Sequence, residues 1–139
     1  MCGLVGFVSL KRKDGVLHEM LGIQSYRGPD DNGYFIDNDM GVHLGHNRLS
    51  IQDLSSNGHQ PFISNCENYI LVFNGEIYNY KEIRSDLIKL GYIFLSGSDT
   101  EVVLYSYKEW GIKCLDRFIG MFAFVIMDKA QGKLILTRD

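Results

Sequence analysis

The sequence predicts a layered α/β (α+β) fold in which two stacked sheets carry helices on their outer faces. Several short runs, Leu4 to Val8, Tyr69 to Phe73 and Met121 to Met127, are apolar at consecutive positions, as expected of strands covered on both faces. Only three stretches have helical periodicity, too few for a regular alternation of strand and helix. Two facing sheets resolve this, because each strand is then covered by the opposite sheet on one face and by a helix on the other. With 139 residues, 45% of them hydrophobic and 12% aromatic, residues 1–139 form one domain with ample material for a core.

The elements follow in order. Leu4 to Val8 is the first strand and reads as buried. Val16 to Ser25 places Leu17, Met20 and Leu21 at helical spacing, weakened by Gly22. Tyr26-Arg27-Gly28-Pro29-Asp30-Asp31-Asn32-Gly33 cannot continue a helix and reads as a structured loop. Tyr34 to Ile36 and Val42 to Leu44 flank Asp37-Asn38-Asp39 as a hairpin whose second arm runs on into His46 to Ile51. Gln52 to Ser64 is polar and reads as loop. Tyr69 to Phe73 is a strand ending at Asn74-Gly75-Glu76. Lys81 to Leu90 carries Ile83, Leu87 and Leu90 on one helical face with Gly91 as the stop. Ser98-Asp99-Thr100-Glu101 has the pattern of a capping box, opening a helix with Val103, Tyr107 and Trp110 as its stripe. Met121 to Met127 and Lys133 to Thr137 flank Asp128 to Gly132 as a second hairpin.

Composition excludes several classes of function. Lys+Arg 14 against Asp+Glu 17 gives a net charge of −3, and the short basic run Lys11-Arg12-Lys13 reads as a solvated turn, so neither nucleic acid nor an anionic membrane surface is an expected partner. The longest apolar run is far below the roughly 20 residues that span a bilayer, and no secretory leader opens the chain, so a cytoplasmic location is expected. Cys2, Cys66 and Cys114 form neither a disulfide framework nor a metal motif, and Cys66 and Cys114 read as inert thiols. His43 and His46 fall on opposite faces of a strand, which argues against a histidine metal site, and no metal is expected.

Cys2 directly follows the initiator methionine. Removal of Met1 would give one residue both a thiol and a free amine. An α-amine titrates near 7.7 to 8.0 and a free thiol near 8.5, so such an amine can accept its neighbour's proton at neutral pH. The strand behind it would hold this terminus in place. A cysteine in second place also arises by accident, and each other polar group at the end of a strand has a plain reading beside a functional one. Arg48 is a catalytic-site fork or a surface ion-pair partner; Asn74-Gly75 is a site or an ordinary hairpin turn; Asp99 is a ligand-binding carboxylate or a helix N-terminal acid.

Taken together, Met1-Cys2-Gly3, Arg27-Gly28-Pro29-Asp30, Arg48-Leu49-Ser50-Ile51, Phe73-Asn74-Gly75-Glu76-Ile77-Tyr78-Asn79, Ser96-Gly97-Ser98-Asp99-Thr100-Glu101 and Gly120-Met121-Phe122-Ala123-Phe124 resemble the amino-terminal glutaminase half of glutamine-hydrolysing asparagine synthetase, a class II glutamine amidotransferase of the Ntn hydrolase superfamily. Six motifs in this order span the whole chain. The resemblance implies a four-layer αββα sandwich of mainly antiparallel sheets, and hydrolysis of glutamine to glutamate and ammonia. In that family Cys2 corresponds to the nucleophile and Asn74 with Gly75 to the oxyanion donors. Arg48, the stretch Leu49, Ser50, Ile51 and Gln52, Glu76 and Asp99 correspond to the glutamine-binding residues, with Arg48 on the α-carboxylate and Asp99 and Glu76 on the α-ammonium. Arg27-Gly28-Pro29-Asp30 is expected to shape the pocket wall, with Arg27 near the thiol.

The family continues beyond Asp139 through further glutaminase strands into a synthetase domain that activates aspartate with ATP, so the chain is expected to be the truncated amino-terminal part. L-glutamine is the expected ligand and the synthetase domain the expected partner in the full-length protein. No cofactor is expected in this chain, ATP and Mg belonging to the synthetase domain. Missing strands would leave the last hairpin with an open edge that favours a homodimer or aggregation. The ammonia would serve asparagine synthesis from aspartate. The alternatives are the glutaminase of a related amidotransferase in a secondary or polysaccharide pathway, and a catalytically silent glutamine-binding module.

Overall fold

In a computed structural model the chain forms two antiparallel sheets stacked between helices, and the structure describes residues 2–11, 13–51 and 55–139. The first sheet contains β1 (Gly3–Val8), β2 (Asp31–Asp37) and β3 (Val42–Arg48) in the order β1-β3-β2. The second contains β4 (Phe62–Ile63), β5 (Tyr69–Ile77), β6 (Gly120–Asp128) and β7 (Lys133–Arg138) in the order β4-β5-β6-β7. Helix α1 (Asp14–Ile23) covers the first sheet, and α2 (Tyr80–Lys89) and α3 (Asp99–Trp110) cover the second.

Alternation along each strand assigns residues to layers. Between the sheets, Val42 and Leu44 of β3 meet Ile70 and Val72 of β5 and Val125 and Met127 of β6. On the outer face of the second sheet, Leu71, Phe73, Phe122, Phe124 and Ile126 pack with Ile83 and Leu87 of α2 and Val103 and Leu104 of α3. Outside the first sheet, Leu17 and Leu21 of α1 close over Val5. The four-layer order helix, sheet, sheet, helix is that of the predicted αββα sandwich.

Four expectations are corrected. β1 is half-buried: Val5 is enclosed, but Gly6 and Val8 are exposed, because β1 is an edge strand of its sheet. Asp31-Asn32-Gly33 belong to β2, not to the loop before it, paired against Asn47 and its neighbours on β3. Asn74-Gly75-Glu76 do not end a strand. They continue β5 to Ile77, paired with Ala123, Phe122 and Met121 of β6, which removes the hairpin-turn reading. Finally, Ser98 caps α3 by accepting from the Thr100 N–H at 3.1 Å, while Glu101 reaches past it to the preceding segment, so the reciprocal bond of a capping box is not formed.

Glu101 is enclosed and accepts from the Leu95 N–H at 3.0 Å and from the Ser96 N–H and hydroxyl at 2.8 and 2.7 Å. One side chain thus organises the extended segment 92–98, which has no ladder of its own. Removing it by Glu101→Ala strands these donors, and a loss of about 2–4 kcal/mol in urea unfolding is expected from the usual cost of buried unsatisfied groups. A loss below about 1 kcal/mol would mean that solvent replaces the carboxylate there.

Candidate active site

Cys2 sits at the head of β1, where three contacts from distant segments fix it. Its sulfur accepts from the Leu49 N–H at 3.3 Å, and its thiol points to the Leu49 carbonyl at 3.7 Å. The Arg27 Nε–H donates to the Cys2 carbonyl oxygen at 3.1 Å. β1 itself is zipped to β3 by the pairing of Gly3 with Asn47. The loop from Arg27 to Asp30 holds the other side of this junction. Gly28 runs so close to β3 that a Cβ would sit on the Asn47 carbonyl. The Asp30 N–H donates to the Arg48 carbonyl at 3.1 Å, and the Asp30 carboxylate accepts from the Ser50 N–H at 2.7 Å. The predicted pocket-wall loop therefore works as a clamp on Cys2 and on residues 48–50.

Opposite Cys2 lies the edge of β5. In an antiparallel strand the N–H and C=O of one residue point to the same side, alternating along the chain. Tyr69, Leu71, Phe73, Gly75 and Ile77 all present theirs toward β4, yet β4 pairs only as far as Leu71. Beyond it, side chains take over. Gln60 Oε1 accepts from the Phe73 N–H at 2.6 Å, and the Asp99 carboxylate accepts from the Ile77 N–H at 2.9 Å. Between them, the Gly75 N–H has no partner among the described residues and points into a cavity lined by Cys2, Asn74 and Glu76. Arg48, Asp99 and Leu49 complete its chemically relevant wall. Glycine is required at 75, since a Cβ would collide with the Met121 carbonyl on β6.

The charged groups enter from two sides. The Arg48 guanidinium is buried at the end of β3, donates to the Ser55 carbonyl at 3.0 Å, and lies so close to Gly58 that a Cβ there would strike it. Asp99 is 4% exposed at the start of α3, and burial, reinforced by the nearby Glu76 charge, raises its carboxyl pKa to about 6, against the lowering effect of the Ile77 N–H. A cation delivered to this carboxylate would relieve an electrostatic cost already present in the fold.

Most predicted site residues meet in this one cavity: Cys2, Arg48, Leu49, Ile51, Asn74, Gly75, Glu76 and Asp99 all line it. Ser50 does not, because its backbone N–H is committed to Asp30. Gln52 lies outside the described residues, as does Met1. Ser98, a candidate with Asp99 at the head of a helix, also lines the cavity, as do Gly58, Gln60 and Thr100, which the sequence does not single out as site residues. Gln60 sits within a stretch that looks like polar loop, and nothing local signals that its amide replaces a missing strand. His46 was assigned no role, yet its ring crosses between the sheets, where Nε2–H donates to the Phe73 carbonyl at 3.0 Å. Of the other thiols, Cys114 is enclosed and its pKa is pushed up to about 12 by burial. Cys66 is exposed and its pKa is lowered by the Ser64 hydroxyl, so it is more nucleophilic than an inert thiol. Among the described residues no cluster of His, Cys, Asp or Glu has the geometry of a metal site, and no helix is long and apolar enough to cross a membrane.

Comparison with known proteins places this geometry in context. The family described as a glutamine amidotransferase domain matches residues 1–139. Asparagine synthetase [glutamine-hydrolyzing] 2 of Bacillus subtilis is 42% identical over 145 residues, covering 100% of this chain and 19% of the relative. Asparagine synthetase [glutamine-hydrolyzing] 1 of the same organism is 40% identical, covering 100% of this chain and 22% of the relative. Amidase chry2 of Gibberella zeae is 34% identical, covering 100% and 22% respectively. The chain thus spans about a fifth of the length of these relatives. Among solved structures, glutamine phosphoribosylpyrophosphate amidotransferase from B. subtilis, in complex with ADP and GMP, superposes with a TM-score of 0.58 at 27% identity over 71% of this chain and 23% of that one. With a family match from its first residue to its last, and with a fold shared with an amidotransferase of known structure, the chain is a member of the glutamine amidotransferase domain family.

Proposed function

We propose that this domain hydrolyses the side-chain amide of L-glutamine with Cys2 as an amino-terminal nucleophile, and that in a longer protein the ammonia is passed to a synthetase domain that makes asparagine from aspartate. The observation that carries the reading is that the Cys2 thiol and the Asn74 side chain line one cavity with the Gly75 N–H, which has no partner among the described residues, and with Arg48 and Asp99 in the same walls. With Met1 removed, the Cys2 amine takes the thiol proton as sulfur attacks the amide carbon. The tetrahedral oxyanion is held by Asn74 and Gly75, and the proton passes to the departing nitrogen to release ammonia. Water then adds to the thioester, its proton returns through the amine to sulfur, and glutamate leaves. Arg48 suits the α-carboxylate as a planar fork, and Asp99 with Glu76 suits the α-ammonium. ATP and Mg belong to aspartate activation, a step assigned to the synthetase domain. The asparagine synthetases among the relatives favour this acceptor over those of other amidotransferases.

Replacing the nucleophile separates chemistry from binding. Cys2→Ala is expected to abolish glutamate release, by at least 1,000-fold, while glutamine still binds within about threefold of the parent by calorimetry. Turnover within tenfold of the parent, about 1.4 kcal/mol in barrier, would refute the nucleophile. A glutamine-like electrophile should label Cys2 and be blocked by glutamine, although Cys66 is the thiol that general alkylating agents reach. Glutamine-protected labelling at Cys66 would overturn the assignment.

Asp99 generates a second expectation with a definite sign. Its raised pKa means that folding favours the protonated carboxyl, so its contribution to stability grows as pH falls through about 6 toward its unfolded value. Glutamine binding needs the carboxylate, so affinity should fall as pH drops below about 6. Asp99→Asn keeps an acceptor for the Ile77 N–H while removing the charge. It is expected to melt no lower than the parent at pH 7.5 yet to raise KM for glutamine about 10- to 100-fold, the range of a lost charge-assisted hydrogen bond. An unchanged KM would remove Asp99 from ammonium binding.

A further inference from the structure

One side chain crosses the whole interior of the sandwich to reach the back of the active site. His46 lies on β3 of the first sheet and is fully enclosed, and its Nε2–H donates to the Phe73 carbonyl on β5 of the second sheet at 3.0 Å. Because the acceptor is a carbonyl, Nε2 carries the proton, which leaves Nδ1 as a bare acceptor. That atom is buried with no partner among the described residues. A core position chosen for packing alone would be cheaper as leucine or methionine, since neither leaves an orphaned nitrogen. The ring is also neutral, its pKa lowered to about 4 chiefly by burial and further by the Arg48 charge, so the donor persists at every pH at which the domain would work.

The bond it makes is one half of a pair. Phe73 exchanges both backbone groups on its β4 side with side chains, the carbonyl with His46 and the N–H with Gln60 Oε1 at 2.6 Å. Gln60 is in turn set by the Thr100 hydroxyl at 3.4 Å, and Thr100 by the Ser98 hydroxyl at 3.0 Å, at the start of the helix that carries Asp99. Phe73 immediately precedes Asn74 and Gly75. Its orientation therefore sets the plane from which the Asn74 side chain and the Gly75 N–H project, at the point where β4 no longer supports the strand.

We infer that His46 is a positioning residue for the oxyanion site, fixing the Phe73 carbonyl from the opposite sheet so that Asn74 and the Gly75 N–H are aimed before substrate arrives, with Gln60 as its counterpart on the Phe73 N–H. The inference rests on the proposed oxyanion role of Asn74 and Gly75. Donors that are held in advance add to catalysis because they need no reorganisation as charge develops. A residue acting in this way lowers the barrier without contacting glutamine, so its loss appears in kcat and not in KM.

The test compares His46→Leu, which removes the donor, with His46→Gln, whose side-chain amide places an N–H near the position of Nε2. His46→Leu should lower kcat for glutamine hydrolysis 10- to 100-fold with KM within threefold, and His46→Gln should recover most of that loss. A readout specific to the oxyanion is binding of the γ-aldehyde analogue of glutamate, in which the Cys2 thiol adds to the aldehyde carbon and its proton passes to the adduct oxygen. Its affinity should fall in His46→Leu by the same factor as kcat/KM, while affinity for glutamate is unchanged. If His46→Leu does not fold, Gln60→Met, which removes the acceptor for the Phe73 N–H, should show the same split. Asn74→Ala is measured in parallel. Parent-like turnover in Asn74→Ala would overturn the oxyanion reading and this inference with it. A crippled Asn74→Ala beside a folded His46→Leu of parent-like kcat and aldehyde affinity would overturn this inference alone, as would a parent-like Gln60→Met if His46→Leu does not fold.

Discussion

The structure turns on a strand that outlasts its neighbour. β5 runs from Tyr69 to Ile77 and pairs with β6 throughout, whereas β4 supports its other side for two residues, so on that side the outer half of β5 faces no strand among the described residues. Buried backbone groups must find partners, and here they find them one at a time: Gln60 for the Phe73 N–H, His46 for its carbonyl and Asp99 for the Ile77 N–H. One donor in the series, at Gly75, is left without a partner among the described residues. A partnerless N–H held at a fixed angle on a rigid strand is a binding group for developing negative charge, and the gap left by β4 is the room in which a ligand reaches it. The rest of the domain can be understood as supplying the other walls of that gap.

Those walls come from separate segments, several of which are held by contacts outside the sheet ladders. Cys2 is fixed by Leu49 and Arg27, the 48–50 stretch by Asp30, the Arg48 guanidinium by the Ser55 carbonyl, and the 95–99 segment by Glu101. The glycines at 28, 58 and 75 have a common logic, since each lies where a Cβ would collide with the backbone or guanidinium that defines the site. The carboxylate of Asp99 adds the electrostatic part. It is buried at a cost in the free protein, and a positively charged group placed beside it would offset that cost.

The division of labour between the two sheets is unequal. The second sheet, with α2 and α3, holds the larger core cluster and provides the β5 edge at Asn74 and Gly75, and Asp99. The first sheet delivers Cys2 and Arg48 from adjacent strands β1 and β3, and His46 reaches from it into the second. Apolar contact between Val42, Leu44, Ile70 and Val125 fixes the distance between the sheets, and so the width of the cavity at their shared end. At the opposite edge, β7 pairs only with β6 among the described residues and leaves Leu136 exposed.

By itself the sequence determined most element types and the layering, and pointed to candidate residues for the site, although β4 falls in a stretch that reads as loop. Apolar runs of five to seven residues need cover on both faces, and helical stripes need one, so two sheets between helices follow from periodicity alone. Six short motifs in a fixed order pointed, through their resemblance to a glutaminase family, to Cys2, Arg48, Asn74, Gly75 and Asp99, and the fold brings all five to one cavity. Only the tertiary structure decided which backbone groups are satisfied and by whom. Asn74-Gly75 reads in sequence as the end of a strand, a site or a turn, and is mid-strand in the fold, because its partner β6 lies more than 40 residues away. Gln60 and His46 look like a loop polar residue and a stray strand histidine. Their roles arise from the place where β4 stops, which no local pattern encodes. Ser50 matched a binding motif yet spends its N–H on Asp30. Hydrogen bonds are short-ranged and directional, so their assignment depends on atomic positions that long-range packing sets, whereas hydrophobic periodicity is written along the chain.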